Sequence, residues 1–310
     1  MKNIKTTLVF TVVIVCVFFG CRPKPIDIDI DLHKPKLVVS STILPLTDSI
    51  LSLIDSTITD STILVVSLTK TFSALSNPMQ NDSFSSGIPN NLVVTDALVT
   101  VNHSNRIDTL FMIVPGIYIS TFFLQDYEYY TLYAKDPATK DEITASSVLL
   151  PKVSFDTVYP IVTKIPNDTT ISVKYEFTDF QNTNNWYVIS CYNYFKTSTT
   201  VSKKKFDINN YRDKYKLQTK LILLNDKTFE GKKYSGETIL TDVKSADTIV
   251  VSISNISEEY FQFLTTQKRS GSIFNQFTGE PINFPTNVNN GYGYFNLYYL
   301  DSKIFELKDY

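Results

Sequence analysis

Cys21 is the residue whose surroundings predict a specific covalent chemistry. Lys2 and Lys5 precede an uncharged apolar stretch, residues 8–19, and Gly20 stands directly before Cys21. A positive start, a short apolar segment and a small residue before the cleavage point are the parts of a secretory signal peptide. In lipoproteins, acyl chains are attached to the thiol of a cysteine that directly follows that point. We therefore expect cleavage before Cys21 and lipidation of its thiol.

Two alternatives to lipidation stay open, namely an ordinary cleaved signal peptide and an uncleaved N-terminal anchor. The apolar stretch, residues 8–19, is shorter than the about 20 residues that a membrane-spanning helix needs. Cys16 is a poorer acylation site because the preceding Val15 is not small. With Cys21 acylated, Cys191 would be the one remaining thiol and could form no intrachain disulfide. Because Cys191 lies in a strand-like run, we expect a buried, structural thiol.

Other residues that could do chemistry are few. The chain holds two histidines, His33 and His103, and three cysteines, which leaves little room for a zinc site or a histidine-based triad. We expect both histidines at the surface. The common nucleophile, zinc-protease, phosphate-loop and dinucleotide-binding motifs are absent from the sequence. A glycosidase needs two suitably separated carboxylates, but no pair can be chosen here. We predict a non-enzymatic protein without catalytic residues, metal or cofactor.

The charge balance bears on the partners of the protein. Lys and Arg number 29 against 31 Asp and Glu, a net charge of -2, which argues against a nucleic-acid-binding protein. The basic stretch at residues 203–205 is interpreted as a solvated loop. Asp27, Asp29 and Asp31 alternate with isoleucine and could be read as a calcium site. A strand lacks the loop that wraps such a cation, so we interpret them as a solvated strand face.

The periodicity of the chain predicts a mainly β fold. Hydrophobic residues make up 43% of the 310 residues, enough for a core. Short β-branched segments separated by polar turns predict strands at residues 37–39, 63–68, 97–101, 109–113, 117–122, 129–134, 143–150, 171–177, 186–195, 217–224, 233–240 and 248–254. Such spacing is typical of an antiparallel, immunoglobulin-like β-sandwich. Two polar stretches, residues 48–61 and 77–91, interrupt this pattern of strands.

The predicted organisation has four parts. Residues 1–20 form the signal peptide and residues 21–35 a tether. Residues 36–150 form the β-sandwich domain, and a second β-rich domain with one helix follows at residues 151–310. Pro151 marks the boundary between the two.

One helix is predicted over residues 257–269. Ser257 can cap its N-terminus, and two glutamates follow, which suit the positive end of the helix dipole. Gly271 can cap the other end. We expect Phe261 and Leu264 to face the core.

The order of these features resembles a known family. It is similar to the Bacteroidota outer-membrane lipoproteins that are grouped as a domain of unknown function and often encoded beside TonB-dependent receptors. The similar residues are Cys21, the Ile-Asp alternation at 26–32, and residues 36–39, 97–101, 115–118, 177–179, 185–187, 225–226, 229–232, 256–261 and 281–295. The last range is the most specific. The resemblance implies an envelope location, two β-rich parts and a link to receptor-mediated uptake, and it implies no catalytic residues.

Three functions follow as hypotheses. The first is an outer-membrane lipoprotein, anchored in the lipid membrane through acylated Cys21, that captures a ligand or docks onto a TonB-dependent receptor barrel. The second is a structural or adhesive envelope protein, and the third is a secreted hydrolase that uses carboxylates. We favour the first, with residues 283–295 as the first candidate for docking. Core packing of the rings in that range is the competing explanation. No ligand-binding residue is predicted, and the periplasmic or surface side is left open.

Overall fold

The computed structural model describes residues 34–44, 62–71, 92–104, 106–122, 125–165, 168–194, 218–240, 248–270 and 283–307. They belong to one compact unit, Lys34–Tyr310. Cys16, Cys21, His33 and the three aspartates of the Ile-Asp alternation lie outside the described residues, as do residues 48–61, 77–91 and 203–205. Among the helices of the described part, none combines the length and the apolar character needed to span a membrane.

The predicted fold class, mainly β with one helix, is confirmed. The described part contains strands β1 Leu37–Leu44, β2 Thr62–Lys70, β3 Leu98–His103, β4 Arg106–Val114, β5 Ile117–Phe122, β6 Tyr129–Lys135, β7 Glu142–Val148, β8 Phe155–Ile165, β9 Asp168–Thr178, β10 Trp186–Tyr194, β11 Gln218–Asn225, β12 Lys233–Leu240, β13 Thr248–Ile256, β14 Val288–Asn289, β15 Tyr292–Tyr294 and β16 Asp301–Glu306, and helix α1 Glu258–Ser270. Each predicted strand has an observed counterpart. Strands β8, β14, β15 and β16 were not predicted.

The N-terminal strands form one large sheet, which we call the barrel sheet. Over the described residues it has nine strands in the order β14-β7-β6-β3-β4-β5-β2-β1-β15. Neighbouring strands are antiparallel except for β1 and β15, which are parallel. The two strands at its ends, β14 and β15, are separated in the chain by residues 290–291 alone. A single short segment therefore occupies both edges, and the sheet nearly closes into a barrel.

Alternation along the strands fills the interior of the barrel sheet. In β3, Val99 and Val101 are fully buried whereas Leu98 is exposed, because successive side chains point to opposite faces. Val99 lies opposite Leu110 on one neighbour and Ala134 on the other, and both are buried. The core that results is largely leucine, valine and isoleucine.

Two smaller sheets form the second part, which we call the sandwich. The described residues give a four-stranded sheet, β11-β10-β13-β16, and a three-stranded sheet, β12-β9-β8. Their shared core is rich in aromatic rings, and Phe177 at its centre lies 4.9 Å from Tyr187 and 5.9 Å from Phe229 between ring centroids. Aromatic pairs at such distances add to the free energy gained from burial alone.

Helix α1 begins as predicted. The Tyr260 amide donates to the Ser257 hydroxyl at 3.2 Å, so Ser257 is the N-cap. Leu264 is buried, and Phe261 is half-buried. Gly271, the predicted C-terminal cap, lies outside the described residues. Beneath the helix, β13 is buried at every position, because one face lies in the sandwich core and the other lies under α1.

The predicted domain boundary at Pro151 stays a prediction. Strands β14 and β15 lie in the barrel sheet although they follow the sandwich strands in the chain, and β16 then returns to the sandwich. The C-terminal residues thus pair with both parts of the molecule.

Candidate functional site

His103 lies inside the barrel sheet, so the expectation of a surface histidine is wrong. Only 8% of the residue is exposed. The physical reason is alternation, since residues 99, 101 and 103 all point inward and the polar turn begins one residue later, at Ser104. Its Nε2 lies 2.6 Å from Oδ2 of Asp108 on the neighbouring strand β4.

A second carboxylate faces the other side of the His103 ring. Oε1 of Glu128 lies 3.8 Å from His103 Nδ1, and the Tyr130 hydroxyl donates to Oε2 of Glu128 at 3.1 Å. The rings of His103 and Tyr130 stack with centroids 5.1 Å apart. Burial raises the pKa of Tyr130 to about 12, so its hydroxyl remains a donor at neutral pH. We interpret this cluster as a polar clamp that joins the β3–β4 hairpin to β6.

Two further candidates for chemistry can be assessed in the described part of the chain, namely the thiol of Cys191 and groups of metal-binding side chains. Cys191 is fully buried in β10, and burial raises the pKa of its thiol to about 12. The expectation of a buried structural thiol is therefore confirmed. Within the described ranges, no three His, Cys, Asp or Glu side chains are grouped so that they could hold a metal ion.

Residues 283–297, which we call the seam segment, close the barrel sheet. On one side Val288 and Asn289 pair with β7, and on the other residues 292–294 pair with β1. Gly293 has φ +98°, and a Cβ at this position would lie 1.8 Å from the Val39 carbonyl oxygen. Glycine is therefore required here for the close approach of the two backbones.

Asn287 fixes the shape of the seam segment. Its Nδ2 donates to the backbone carbonyls of Ser146 at 2.8 Å and Phe295 at 2.7 Å. Its Oδ1 accepts the Phe295 amide at 3.0 Å. The Thr286 hydroxyl adds a bond to the Gly293 carbonyl at 2.8 Å. These bonds hold the short segment that lies between β1 and β7.

Asn296 lies inside the barrel sheet and links β1 to β7. No pattern in the sequence predicted this role. The residue is 2% exposed and bridges both edges of the barrel sheet. Its backbone amide and carbonyl bond to the Ser41 hydroxyl of β1 at 2.7 and 2.9 Å, and its Oδ1 accepts from the Ser147 hydroxyl of β7 at 3.3 Å. The asparagine-rich composition of the segment was the available signal, but asparagine is equally typical of solvated turns.

The seam segment also carries exposed side chains. Phe284 is 41% and Tyr292 48% exposed, and Asn289 and Asn290 beside them are exposed as well. The Lys36 ammonium lies 5.4 Å from the centroid of the Tyr292 ring. We call Phe284, Asn289, Asn290 and Tyr292 the seam surface. Tyr294 and Phe295 are buried, so core packing explains these two rings.

A cluster of rings supports the seam surface from behind. Tyr260 and Phe263 of α1 each lie 5.1 Å from Tyr294 between ring centroids. Phe263 also lies 6.4 Å from the centroid of Phe284. Burial raises the pKa of Tyr294 to about 12 even though a hydrogen bond to the Ser257 hydroxyl opposes the shift. The seam segment is thus attached to the barrel sheet by hydrogen bonds and to α1 by aromatic contacts.

Comparisons with known proteins identify the family but no activity. A solved structure of a DUF3823 family protein from Bacteroides ovatus ATCC 8483 is similar over 54% of this chain and 83% of that chain, with 12% identity and a TM-score of 0.21. No curated protein matches the chain. The sequence model described as "Domain of unknown function (DUF4249)" matches residues 23–304. The chain therefore belongs to the DUF4249 family.

Proposed function

We propose that the protein is a lipid-anchored outer-membrane lipoprotein that docks onto a TonB-dependent receptor and helps it acquire a substrate without chemical turnover. The anchor is supported by the Gly20-Cys21 pair after the apolar stretch. The receptor is supported by the resemblance to lipoproteins encoded beside such receptors. The observation that carries the docking role is the seam surface, where two exposed rings are held on a hydrogen-bonded segment.

The physical advantage of the seam surface is preorganisation. Binding costs free energy whenever loops and side chains must be ordered. Asn287 and Thr286 already fix the backbone on both sides of Tyr292, and the Phe284 ring contacts Phe263 of α1, so less ordering is required on docking. Aromatic anchors surrounded by polar groups are typical of interface hot spots. Here the exposed amides of Asn289 and Asn290 provide the polar surroundings.

Attachment to the same membrane allows this surface to be small. Two partners held in one bilayer meet at a high effective concentration, so a weak interface suffices. A single acyl chain anchors a protein only marginally, whereas the several chains of a lipoprotein anchor it stably. Cys21→Ser should therefore release the protein from the membrane fraction. A variant that still partitions with detergent would contradict the lipoprotein proposal.

Affinity purification from detergent-solubilised membranes tests the docking role. We expect the wild-type protein to retain a receptor barrel, and the double variant Phe284→Ala/Tyr292→Ala to retain less than about a tenth of it. The matched control is Tyr127→Ala/Tyr129→Ala, because these rings are 68% and 71% exposed and belong to the start of β6 and the turn before it, not to the seam segment. Equal retention by both double variants, or no barrel with the wild type, would contradict the proposal.

A further inference from the structure

A row of serines lies on the face of the four-stranded sheet that α1 covers. Ser190 of β10 pairs with Ser252 of β13, which in turn pairs with Ser302 of β16, so three hydroxyls share one line across the sheet. Ser254 follows two residues along β13 on the same face. The Ser190 and Ser252 hydroxyls lie 2.6 Å apart and satisfy each other.

The hydroxyl of Ser254 has no such partner. The residue is 0% exposed, and its Oγ makes no hydrogen bond within the described part of the chain. The Oγ of Ser302 is likewise buried without a bond among the described residues. A buried hydroxyl without a partner is destabilising, and native proteins satisfy such groups with water or a ligand.

A cavity of about 100 Å³, open on one side, is lined by Ser254 and by the Ser190–Ser252 pair, whereas Ser302 lies outside its lining. Its polar wall consists of Ser190, Ser252 and Ser254, and its apolar wall includes Leu221, Leu264 and Leu300. Tyr260 and Tyr298 add two rings. Its volume corresponds to about three water molecules, or to one organic molecule of about six non-hydrogen atoms.

We infer that this cavity binds a small neutral molecule with hydroxyl groups on a short carbon skeleton, either a free diol or triol or the hydroxylated end of a sugar. One edge of such a molecule can bond to the Ser254 hydroxyl while its carbon atoms contact the leucines. Water molecules can hydrogen-bond to the serine hydroxyls, but they make no apolar contacts with the leucine side chains of the cavity. No charged side chain of the described residues lines the cavity, so a charged ligand would be desolvated without compensation. This site is independent of the proposed docking role.

Titration of the purified protein with propane-1,2-diol tests the inference, with the leucine methyl groups labelled for NMR. We expect saturable shifts confined to Leu221, Leu264 and Leu300. Ser254→Ala removes the hydroxyl without adding volume, and it should weaken binding about fivefold or more. The matched control is Ser146→Ala, the same substitution at an exposed strand position. If Ser254→Ala fails to fold, Ser254→Cys, whose thiol is a weaker hydrogen-bonding group, provides the comparison.

A second titration, with methyl α-glucoside, distinguishes the two sources of the ligand. Binding of the diol alone assigns a small free molecule, whereas binding of both assigns the hydroxylated end of a sugar. Shifts that rise linearly for all leucines, or equal affinities of wild type and Ser254→Ala, would overturn the inference. A crystal structure soaked in the diol that shows ordered water only in the cavity would overturn it as well.

Discussion

Different kinds of interaction hold the barrel sheet and the sandwich together. The core of the barrel sheet is largely aliphatic, and its edges are joined through the seam segment by side-chain hydrogen bonds such as those of Asn287 and Asn296. The sandwich has two separate sheets whose shared core contains the rings of Phe155, Tyr175, Phe177, Tyr187 and Phe229. One part therefore depends on the exact backbone path of a short segment, and the other depends on the volume of its side chains.

The two parts should therefore tolerate different amino-acid substitutions. Aliphatic cores accept volume-conserving replacements, so the weak point of the barrel sheet is the seam, where backbones meet closely and a few polar side chains make most of the connecting bonds. Ring clusters lose much contact area when one ring is removed. The sandwich should consequently be most sensitive at its centre. Substitutions in the two parts should therefore differ in their cost to stability.

Removal of the central ring of the sandwich should have the largest effect. Phe177 is fully buried and contacts the rings of Tyr187, Phe229 and Tyr234. We expect Phe177→Ala to lower the free energy of unfolding by about 3–5 kcal/mol in urea titrations. Tyr159→Ala is the control, since that ring is 48% exposed, and it should cost less than about 1 kcal/mol. Equal costs would contradict an aromatic core.

Gly293→Ala should disrupt the seam by steric clash. The new Cβ would meet the Val39 carbonyl oxygen, and φ +98° is unfavourable for a side chain. We expect a loss of about 3 kcal/mol in the free energy of unfolding. Asn290→Gly is the control on the same segment, because Asn290 already has φ +64°, and it should change stability by less than about 1 kcal/mol. A Gly293→Ala protein as stable as wild type would show that the seam is not tightly closed.

Two neighbouring asparagines test whether hydrogen bonds close the seam. Asn287→Ala removes three bonds to backbone groups and should cost about 2 kcal/mol, measured by thermal unfolding. Asn289→Ala removes one exposed bond, to the Thr144 hydroxyl, and should cost less than about 0.5 kcal/mol. If the two variants were equally stable, the seam would be held by something other than the Asn287 amide.

The ion pair at the end of the barrel sheet should give a pH-dependent effect. Burial by itself raises the pKa of Asp136, but the Lys70 ammonium at 2.7 Å, the Ala138 amide and the Thr139 hydroxyl together hold that pKa below its usual value. A lowered pKa means that the stabilisation is present above the unfolded-state value of about 3.9 and is lost as the pH falls through the folded-state value.

Asp136→Asn should therefore cost about 1–2 kcal/mol at pH 7, and its difference from wild type should shrink below about pH 4. Chemical denaturation at several pH values measures this change. Glu142→Gln is the comparison, since Glu142 pairs with Lys135 at the solvent-exposed surface, and its effect should be smaller and should weaken with added salt. A difference for Asp136→Asn that is constant from pH 7 to pH 3 would contradict the ionised pair.

The local features of the fold could be predicted from the sequence, and the long-range ones could not. Strand periodicity located the strands from β1 to β7, and the capping residue Ser257 located α1. These signals are local, because alternation and caps act within a few residues. By contrast, the seam segment pairs with residues more than 140 positions away, and no local pattern records such a partner.

Only part of the candidate site could be predicted, again because the signals in the sequence are local. Residues 283–295 were chosen because aromatic and asparagine residues are concentrated there, and the structure divides them into buried rings and exposed rings. The sequence could not make that division, since it depends on which side of the seam faces β1. The burial of His103 was missed because a polar residue at the end of a strand resembles a turn residue until the inward direction of Val99 and Val101 is known.

Photo-crosslinking in intact cells tests the docking role of the seam surface most directly. A benzoylphenylalanine residue placed at position 292 probes the seam surface, and one at position 127, a tyrosine position that is more exposed than 292, serves as the control. We expect light to link position 292, and not position 127, to the barrel of an outer-membrane receptor. No crosslink at position 292, or the same crosslinked partners at both positions, would contradict it.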